Sequence, residues 1–288
     1  MSATILDGRK IRDEAIPVLA KKIDALSYIP TLTIIQVGNR EDTASYIRAK
    51  KSFASKIGVN VKHIQLSIDI SQNELIDIIK ENNNDKSVKG IIVQVPLPIE
   101  IDRDDVINMI LPSKDVDGLT PYNVKRWLDG NEDAILPATA RGVRTLLKYY
   151  KIDLFGKKVT VIGRSVLVGK PIVAMCLNEN ATVTVCHSKT PDLIKETQNA
   201  DILIVAVGKN GLVKAEHVKE GQVIIDVGIN TKEGDKLDDE IPTRKLVGDV
   251  DFDSVSNIVA SITPVPGGIG PMTVLSLFEN LVDLCSVK

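Results

Sequence analysis

The stretch Lys157-Lys-Val-Thr-Val-Ile-Gly-Arg-Ser-Val-Leu-Val-Gly-Lys-Pro171 decides the fold. Lys158 to Ile162 is short, apolar and β-branched, the signature of a buried strand. Gly163 ends it, and Gly169-Lys170-Pro171 opens a helical pattern running from Ile172 to Glu179. Proline is tolerated in a first helical turn, where its missing N–H has no partner to lose. A strand, a glycine-bearing turn and a helix start in succession make a place for a phosphate, because backbone N–H groups and the helix dipole both favour an anion there.

The turn departs from the usual dinucleotide fingerprint, having Gly163 and Gly169 where that pattern has three glycines. The next predicted strand, Ala181 to Cys186, runs into His187-Ser188-Lys189-Thr190, where an NAD enzyme would place an acid on the ribose. No acid stands there. Arg164, Ser188 and Lys189 suit a 2′-phosphate instead, so NADP is the expected cofactor; the plain alternative is an ordinary βα turn with polar surface residues.

Working outward, the periodicity predicts helices over 9–26 and 41–57, the latter closed by Gly58, and strands at Thr31 to Val37, Val59 to Leu66 and Gly90 to Val95. Ser71-Gln72-Asn73-Glu74 reads as a capping box opening a helix through Asn82. A short helix near Asp104 to Ile110 leads into Lys114-Asp115-Val116-Asp117-Gly118. This alternation predicts a parallel sheet covered by helices. Beyond it come a helix over Thr139 to Tyr150, the central strand, and strands at Ile202 to Val207 and Val223 to Val227 with helices between them; Leu246 to Val250 is a weaker strand candidate. Lys232 to Glu240 reads as a solvated hairpin or loop. A last helix, Pro271 to Cys285, is expected to return to the first domain. The fold class expected is therefore α/β with two domains around a cleft: residues 1–137 with 271–288, and a Rossmann-like unit over 138–270.

The 288 residues include 36 basic and 38 acidic side chains, net −2, and 3 % aromatics. That balance offers nothing to nucleic acid or a membrane surface, and the longest apolar runs are too short to span a bilayer. Three scattered cysteines, Cys176, Cys186 and Cys285, read as buried thiols of a reducing compartment. A soluble cytoplasmic protein is expected. The histidines form no metal or hydrolase constellation.

Candidate chemistry lies elsewhere. Tyr46 and Lys50 share one face of a predicted helix, a spacing that also suits a surface pair. Gln94, at the carboxyl end of Val93-Gln94-Val95-Pro96-Leu97-Pro98, either meets a ligand or satisfies a core partner. Asp115 and Asp117 flank Val116 in a turn; a carboxylate there can accept the two N–H groups of a pterin edge, or simply be solvated. Thr263-Pro-Val-Pro-Gly-Gly-Ile-Gly-Pro-Met-Thr273 suits a ligand wall or hinge.

Together these segments resemble the bifunctional methylenetetrahydrofolate dehydrogenase/methenyltetrahydrofolate cyclohydrolase family. The motifs are Val37-Gly-Asn-Arg40, Ser45-Tyr-Ile-Arg-Ala-Lys50, Val93 to Pro98, Lys114 to Leu119, Gly163-Arg-Ser165 with Val168 to Pro171, Cys186 to Thr190, Asp226-Val-Gly-Ile-Asn230, and Ile262 to Thr273, in the family's order. The resemblance implies that Lys50 is the catalytic lysine, that Tyr46 stacks on the folate, and that Gln94 and Asp117 complete the site. It assigns Gly163, Arg164, Ser165, Ser188, Ile229 and Thr263 to NADP. Val93, Val95 and the stretch Pro266, Gly267, Gly268, Gly270, Pro271 and Thr273, to Val274, fall to the tetrahydrofolate substrate. It also implies a homodimer. One departure stands out: Pro137-Ala138-Thr139-Ala140-Arg141-Gly142 replaces the usual Pro-Cys-Thr-Pro-x-Gly, with Thr139 kept as a presumed helix cap.

The implied chemistry has two parts. Hydride transfer from the one-carbon bridge breaks no O–H bond, so it needs geometry above all. Hydrolysis of the methenyl cation needs a proton carrier, and Lys50 can serve as a base only if its pKa is lowered. Arg48 lies on another helix face, which makes the cationic substrate the better source of that lowering, with Gln94 holding the amine and water in line. The rivals are a shikimate-dehydrogenase-like enzyme and a non-catalytic nucleotide sensor; a short-chain dehydrogenase is disfavoured because its Tyr-x-x-x-Lys pair follows the glycine loop.

Overall fold

The computed structural model describes residues 3–236 and 242–286. The chain runs β1 (Thr4–Ile5), α1 (Gly8–Asp24), β2 (Thr31–Val37), α2 (Glu41–Ile57), β3 (Asn60–Leu66), α3 (Gln72–Asn84) and β4 (Val88–Gln94). It continues through α4 (Arg103–Asn108), α5 (Pro121–Leu128), α6 (Ala138–Tyr149), β5 (Lys158–Ile162), α7 (Gly169–Asn178), β6 (Thr182–Cys186) and α8 (Leu193–Gln198). Then come β7 (Ile202–Val205), β8 (Val223–Asp226), β9 (Asn230–Lys236), β10 (Pro242–Val247), α9 (Phe252–Val255), β11 (Ser261–Ile262) and α10 (Ile269–Ser286).

These elements form two compact units, each discontinuous in sequence. One comprises Asp13–Ala138 with the chain from Val274 onward; the other comprises the chain up to Arg12 with Thr139–Thr273. The N-terminus is thus grouped differently from the expected 1–137 division. β1 adds to the second unit's sheet by parallel pairing of Thr4 with Ser261 and Ile5 with Ile262. The Gly8 and Arg9 amides then donate to the Gly267 carbonyl at 2.9 and 3.1 Å.

In the first unit β2 lies between β3 and β4, all parallel. From Leu32 to Val37 the central strand is buried, as expected of a strand covered on both faces. Its core joins Ile35 and Val37 to Leu75 and Ile79 of α3 and to Ile91 and Val93 of β4. The capping box is present: Ser71 Oγ accepts from the Glu74 amide while Glu74 accepts from the Ser71 amide. Gly58 closes α2 in the left-handed conformation, φ 77°. α10 joins this unit through Phe278, whose ring centroid lies 5.2 Å from that of Phe53, and through Asn280, which donates to the Val116 and Leu136 carbonyls.

The second unit holds a six-stranded sheet in the order β1-β11-β8-β7-β5-β6, so the strand that decided the reading is internal. Three expectations need correction here. Between β7 and β8 there is only a 3₁₀ turn, Ala215–His217, in place of a helix. The strand sought at Leu246 to Val250 is β10, which pairs antiparallel with β9 outside the main sheet; Val250 makes a single bridge to Val213. Thr139 lies inside α6, not at its cap, and the alanines at 138 and 140 are buried within the same helix, so no freed turn results. The hairpin or loop expected at Lys232 to Glu240 is represented by the pairing of β9 with β10; its residues 237–240 lie outside the described residues. Cys176 and Cys186 are buried and Cys285 is half-buried, and all three are free thiols. Among the described residues no helix is long and apolar enough to cross a membrane.

Candidate active site

In the first unit, α2 presents Tyr46 and Lys50 one turn apart, Tyr46 being 37 % exposed and Lys50 half-buried. The Lys50 Nζ donates to Gln94 Oε1 at 3.0 Å, across from α2 to the end of β4. Gln94 Nε2 donates in turn to the Val95 carbonyl at 3.2 Å, which fixes the amide's orientation. Both ends of the Gln94 amide therefore have protein partners, and one of them is the candidate catalytic amine.

The Lys114–Gly118 turn is the third component. The backbone at Asp115 bridges in parallel to Ile91, so the turn runs alongside β4. Lys114 Nζ caps the end of α3, donating to the carbonyls of Asn82, Asn83 and Asp85 at 3.0, 2.6 and 2.7 Å, which places a cation where the helix dipole is negative. Asp115, 1 % exposed, accepts from the Thr120 amide and hydroxyl and from Asn123 Nδ2 at 2.8, 2.8 and 2.9 Å. Trp127 Nε1 donates to the Gly118 carbonyl at 3.0 Å. The two acids therefore differ in kind. Asp115 is consumed in holding the turn, whereas Asp117 accepts no hydrogen bond from the described residues and keeps its oxygens available.

Electrostatics sharpen the difference. Burial pushes Asp117 up to about 6, with the Lys50 charge pulling it back and Asp115 pushing it further. Burial also holds Lys50 below the ordinary lysine range, partly offset by the Asp117 charge. The lowering expected from a cationic substrate thus already begins in the protein itself. Burial shifts the amine down and the carboxyl up, disfavouring the charged form of each, while each charge favours the other.

The second unit carries the turn after β5. Gly163 has φ 128°, and a Cβ there would lie 2.3 Å from the Ala206 carbonyl oxygen, so only glycine fits. The expected anion donors at the start of α7 are otherwise engaged: the Gly169 amide donates to Ser165 Oγ at 3.2 Å, the Lys170 amide to the Ser165 carbonyl at 2.9 Å, and Pro171 has none. Those two amides are thus not free for an anion, while Arg164 and Ser165 on the loop before them are exposed. Ser188 and Lys189 are exposed on the turn after β6, which the Thr190 hydroxyl braces by accepting from the His187 amide at 2.9 Å. Ile229 is 39 % exposed after β8. Its Cδ1 lies 3.5 Å from where a Cβ on Gly270 would be, so it adjoins the glycine-proline stretch. Thr263 is buried and accepts from the Asp226 amide at 2.7 Å.

Lys50, Tyr46, Val93, Gln94, Val95 and Asp117 thus belong to one unit, while Pro266 to Thr273 belong to the other, with the nucleotide candidates. Sequence reasoning missed the supports Thr120, Asn123, Trp127 and Asn280. A buried acid beside hydroxyl and amide residues a few positions on was the available signal for the first two.

A parallel sheet with a glycine turn after an internal strand in one unit, and a lysine, an amide and an acid in the other, is the composition of a nucleotide-dependent α/β enzyme. Residues 6–117 match the family model described as the tetrahydrofolate dehydrogenase/cyclohydrolase catalytic domain, and residues 137–288 match that of its NAD(P)-binding domain. The chain is 45 % identical to the bifunctional protein FolD of Bacillus licheniformis over 285 residues, 98 % of this chain and 97 % of that one. Among solved structures, the bifunctional FolD dehydrogenase/cyclohydrolase of Campylobacter jejuni is 42 % identical with a TM-score of 0.92, covering 99 % of each chain. The FolD of Trypanosoma brucei, solved with NADP and an inhibitor, is 34 % identical with a TM-score of 0.93, covering 99 % of this chain and 98 % of that one. The chain belongs to the tetrahydrofolate dehydrogenase/cyclohydrolase family. It is a bifunctional enzyme that oxidises 5,10-methylenetetrahydrofolate with NADP and hydrolyses the methenyl product to 10-formyltetrahydrofolate.

Proposed function

We propose that the two activities are divided between the residue groups described above. In the hydrolytic step Lys50 is the proton carrier: as a free amine it takes a proton from the attacking water, and as an ammonium it returns one as the ring opens. Gln94 holds that amine in place, and Asp117 receives the two N–H groups of the pterin edge. Tyr46 offers a ring face to the folate, with Val93 and Val95 beside Gln94. In the redox step NADP supplies the hydride acceptor. Gly163 and Ser165 meet its phosphates, Arg164 and Ser188 its 2′-phosphate, and Ile229 and Thr263 its nicotinamide end. Pro266, Gly267, Gly268, Gly270, Pro271 and Thr273 supply close-approach backbone to the substrate.

The observation that carries this reading is the hydrogen bond from Lys50 to Gln94 beside a carboxylate, Asp117, that no described residue occupies. If Asp117 seats the pterin, Asp117→Ala raises KM for the folate in both half-reactions by tenfold or more, since each uses the same seat. Unchanged KM in either one would refute that assignment. A cytoplasmic homodimer belongs to the same proposal. Light scattering after gel filtration tests the assembly, a mass of twice the 31.4 kDa chain supporting it and a single-chain mass refuting it.

A further inference from the structure

Two buried acids take no part in the chemistry above. Asp226 ends β8 and is 3 % exposed; Asp249, just after β10, is fully buried. Asp249 Oδ2 accepts from the Val207 and Gly208 amides at 2.7 and 2.9 Å, and its Oδ1 from the Lys209 amide and Asn230 Nδ2 at 2.7 and 2.9 Å. Successive N–H groups converging on an anion form a nest of the kind that elsewhere holds phosphate. Here the protein fills it with its own carboxylate. Asp226 Oδ1 accepts from the Gly228 and Asp249 amides at 2.9 and 3.1 Å, and its Oδ2 from the Val250 amide at 2.9 Å.

The two acids are interlocked. A Cβ on Gly228 would fall 2.1 Å from Asp249 Cγ, and one on Gly248 would fall 1.9 Å from Asp226 Oδ2, so each acid sits where only the other's glycine neighbour allows it. Neither forms an ion pair among the described residues; backbone N–H groups, with the Asn230 side-chain amide, are the donors that meet the two carboxyl groups. Burying two carboxyl groups side by side is costly, and burial with the neighbouring Asp249 pushes Asp226 up to about 7, so the arrangement must secure something beyond packing.

What it secures is the rim of the sheet. The pair pins residues 207–209 after β7, residues 228 and 230 on either side of Ile229, and residues 249–250. Ala206, next to the pinned loop, lies against Gly163. β6, with Ser188 on the turn after it, lies on one side of β5, whereas β7, β8 and β11 follow on the other. With phosphates at the Gly163 turn and the 2′-phosphate toward β6, the nicotinamide end falls on the pinned side.

We propose that Asp226 and Asp249 are positioning residues for the nicotinamide, holding Ile229 and the 206–209 loop at the geometry hydride transfer requires. This rests on the assignment of Ile229 to the nucleotide. A ring misplaced by about 1 Å can cost on the order of 100-fold in rate, while the phosphate contacts that dominate affinity stay in place.

The test is Asp249→Asn, which leaves one acceptor oxygen for donors that now fill two. Expected are a 10- to 100-fold fall in dehydrogenase kcat, a Kd for NADP within threefold of the parent, and hydrolysis of methenyltetrahydrofolate without nucleotide within twofold. Asn230→Ala, which removes a single donor and spares both carboxyl groups, is the second variant if the first fails to fold; its dehydrogenase kcat should fall 3- to 10-fold with hydrolysis unchanged. Unaltered hydride transfer in either folded variant, or equal loss of both activities in Asn230→Ala, overturns the proposal. Ile229→Ala separates the two readings. If it leaves NADP binding and hydride transfer untouched, the nucleotide assignment is at fault; if it impairs them while Asp249→Asn does not, the positioning role is.

Discussion

Replacing Lys50 by methionine separates the two chemical steps. The substitution keeps the length of the stem and removes the amine, so Gln94 Oε1 loses its donor at 3.0 Å and Asp117 loses its neighbouring positive charge. If Lys50 only held Gln94 in place, its loss would cost one hydrogen bond, about 0.5–1.5 kcal/mol. At about 1.4 kcal/mol per tenfold, that is roughly a two- to twelvefold change in rate. A proton carrier in the transition state contributes on the order of 10²–10⁴ instead. The two cases differ enough to be told apart. Hydrolysis, followed as loss of methenyltetrahydrofolate absorbance without nucleotide, should fall at least 100-fold in Lys50→Met. Dehydrogenation, followed as NADP reduction, should stay within tenfold because it moves a hydride and needs no amine. Equal loss in both assays, or a fall in hydrolysis under tenfold, would refute the role given to Lys50.

Two further outcomes are expected. Arg164→Ala should raise KM for NADP at least tenfold and leave KM for NAD within twofold, measured by initial rates with each nucleotide; an unchanged preference would remove Arg164 from the 2′-phosphate. Asp226 makes a pH signature: its carboxyl lies at about 7 in the folded chain against the ordinary 3.8, so the native state holds the extra proton between those values. The contribution to stability is complete below the lower value and is lost as pH rises through the upper one, at about 1.4 kcal/mol per unit. Urea titrations should therefore show parental stability falling relative to Asp226→Asn between pH 5 and about 7, and parallel curves would contradict the shift.

Much of this molecule was legible because its signals are local. The run Lys158 to Ile162 between a polar stretch and Gly163 can only be a short buried strand, and Ser71 with Glu74 caps its helix through contacts three residues apart. The Tyr46 and Lys50 spacing and the apolar surroundings of Gln94 marked these residues out but left a surface pair and a core amide open; it was the family resemblance that nominated them as a site. The rest depends on partners far along the chain. Asp115 and Asp117 look alike in sequence; Thr120 and Asn123 closing on the first alone make one structural and the other available. β1 and β11 are too short to show a period, so nothing marked the N-terminus as a strand of the second sheet. Leu246 and Val247 have strand character, but their partner is β9, and the turn at Gly248 diverts Asp249 into the nest. That pairing of Asp226 with Asp249 is invisible without the two glycines that admit it.

The most direct measurement mixes the purified protein with 5,10-methylenetetrahydrofolate and either NADP or NAD while methenyl absorbance and reduced nucleotide are followed together. Reduction with NADP ahead of NAD is expected, with a transient methenyl signal that decays to 10-formyltetrahydrofolate. Reduced nucleotide with a methenyl signal that never decays faster than without protein, or no reduction with either nucleotide, would contradict it.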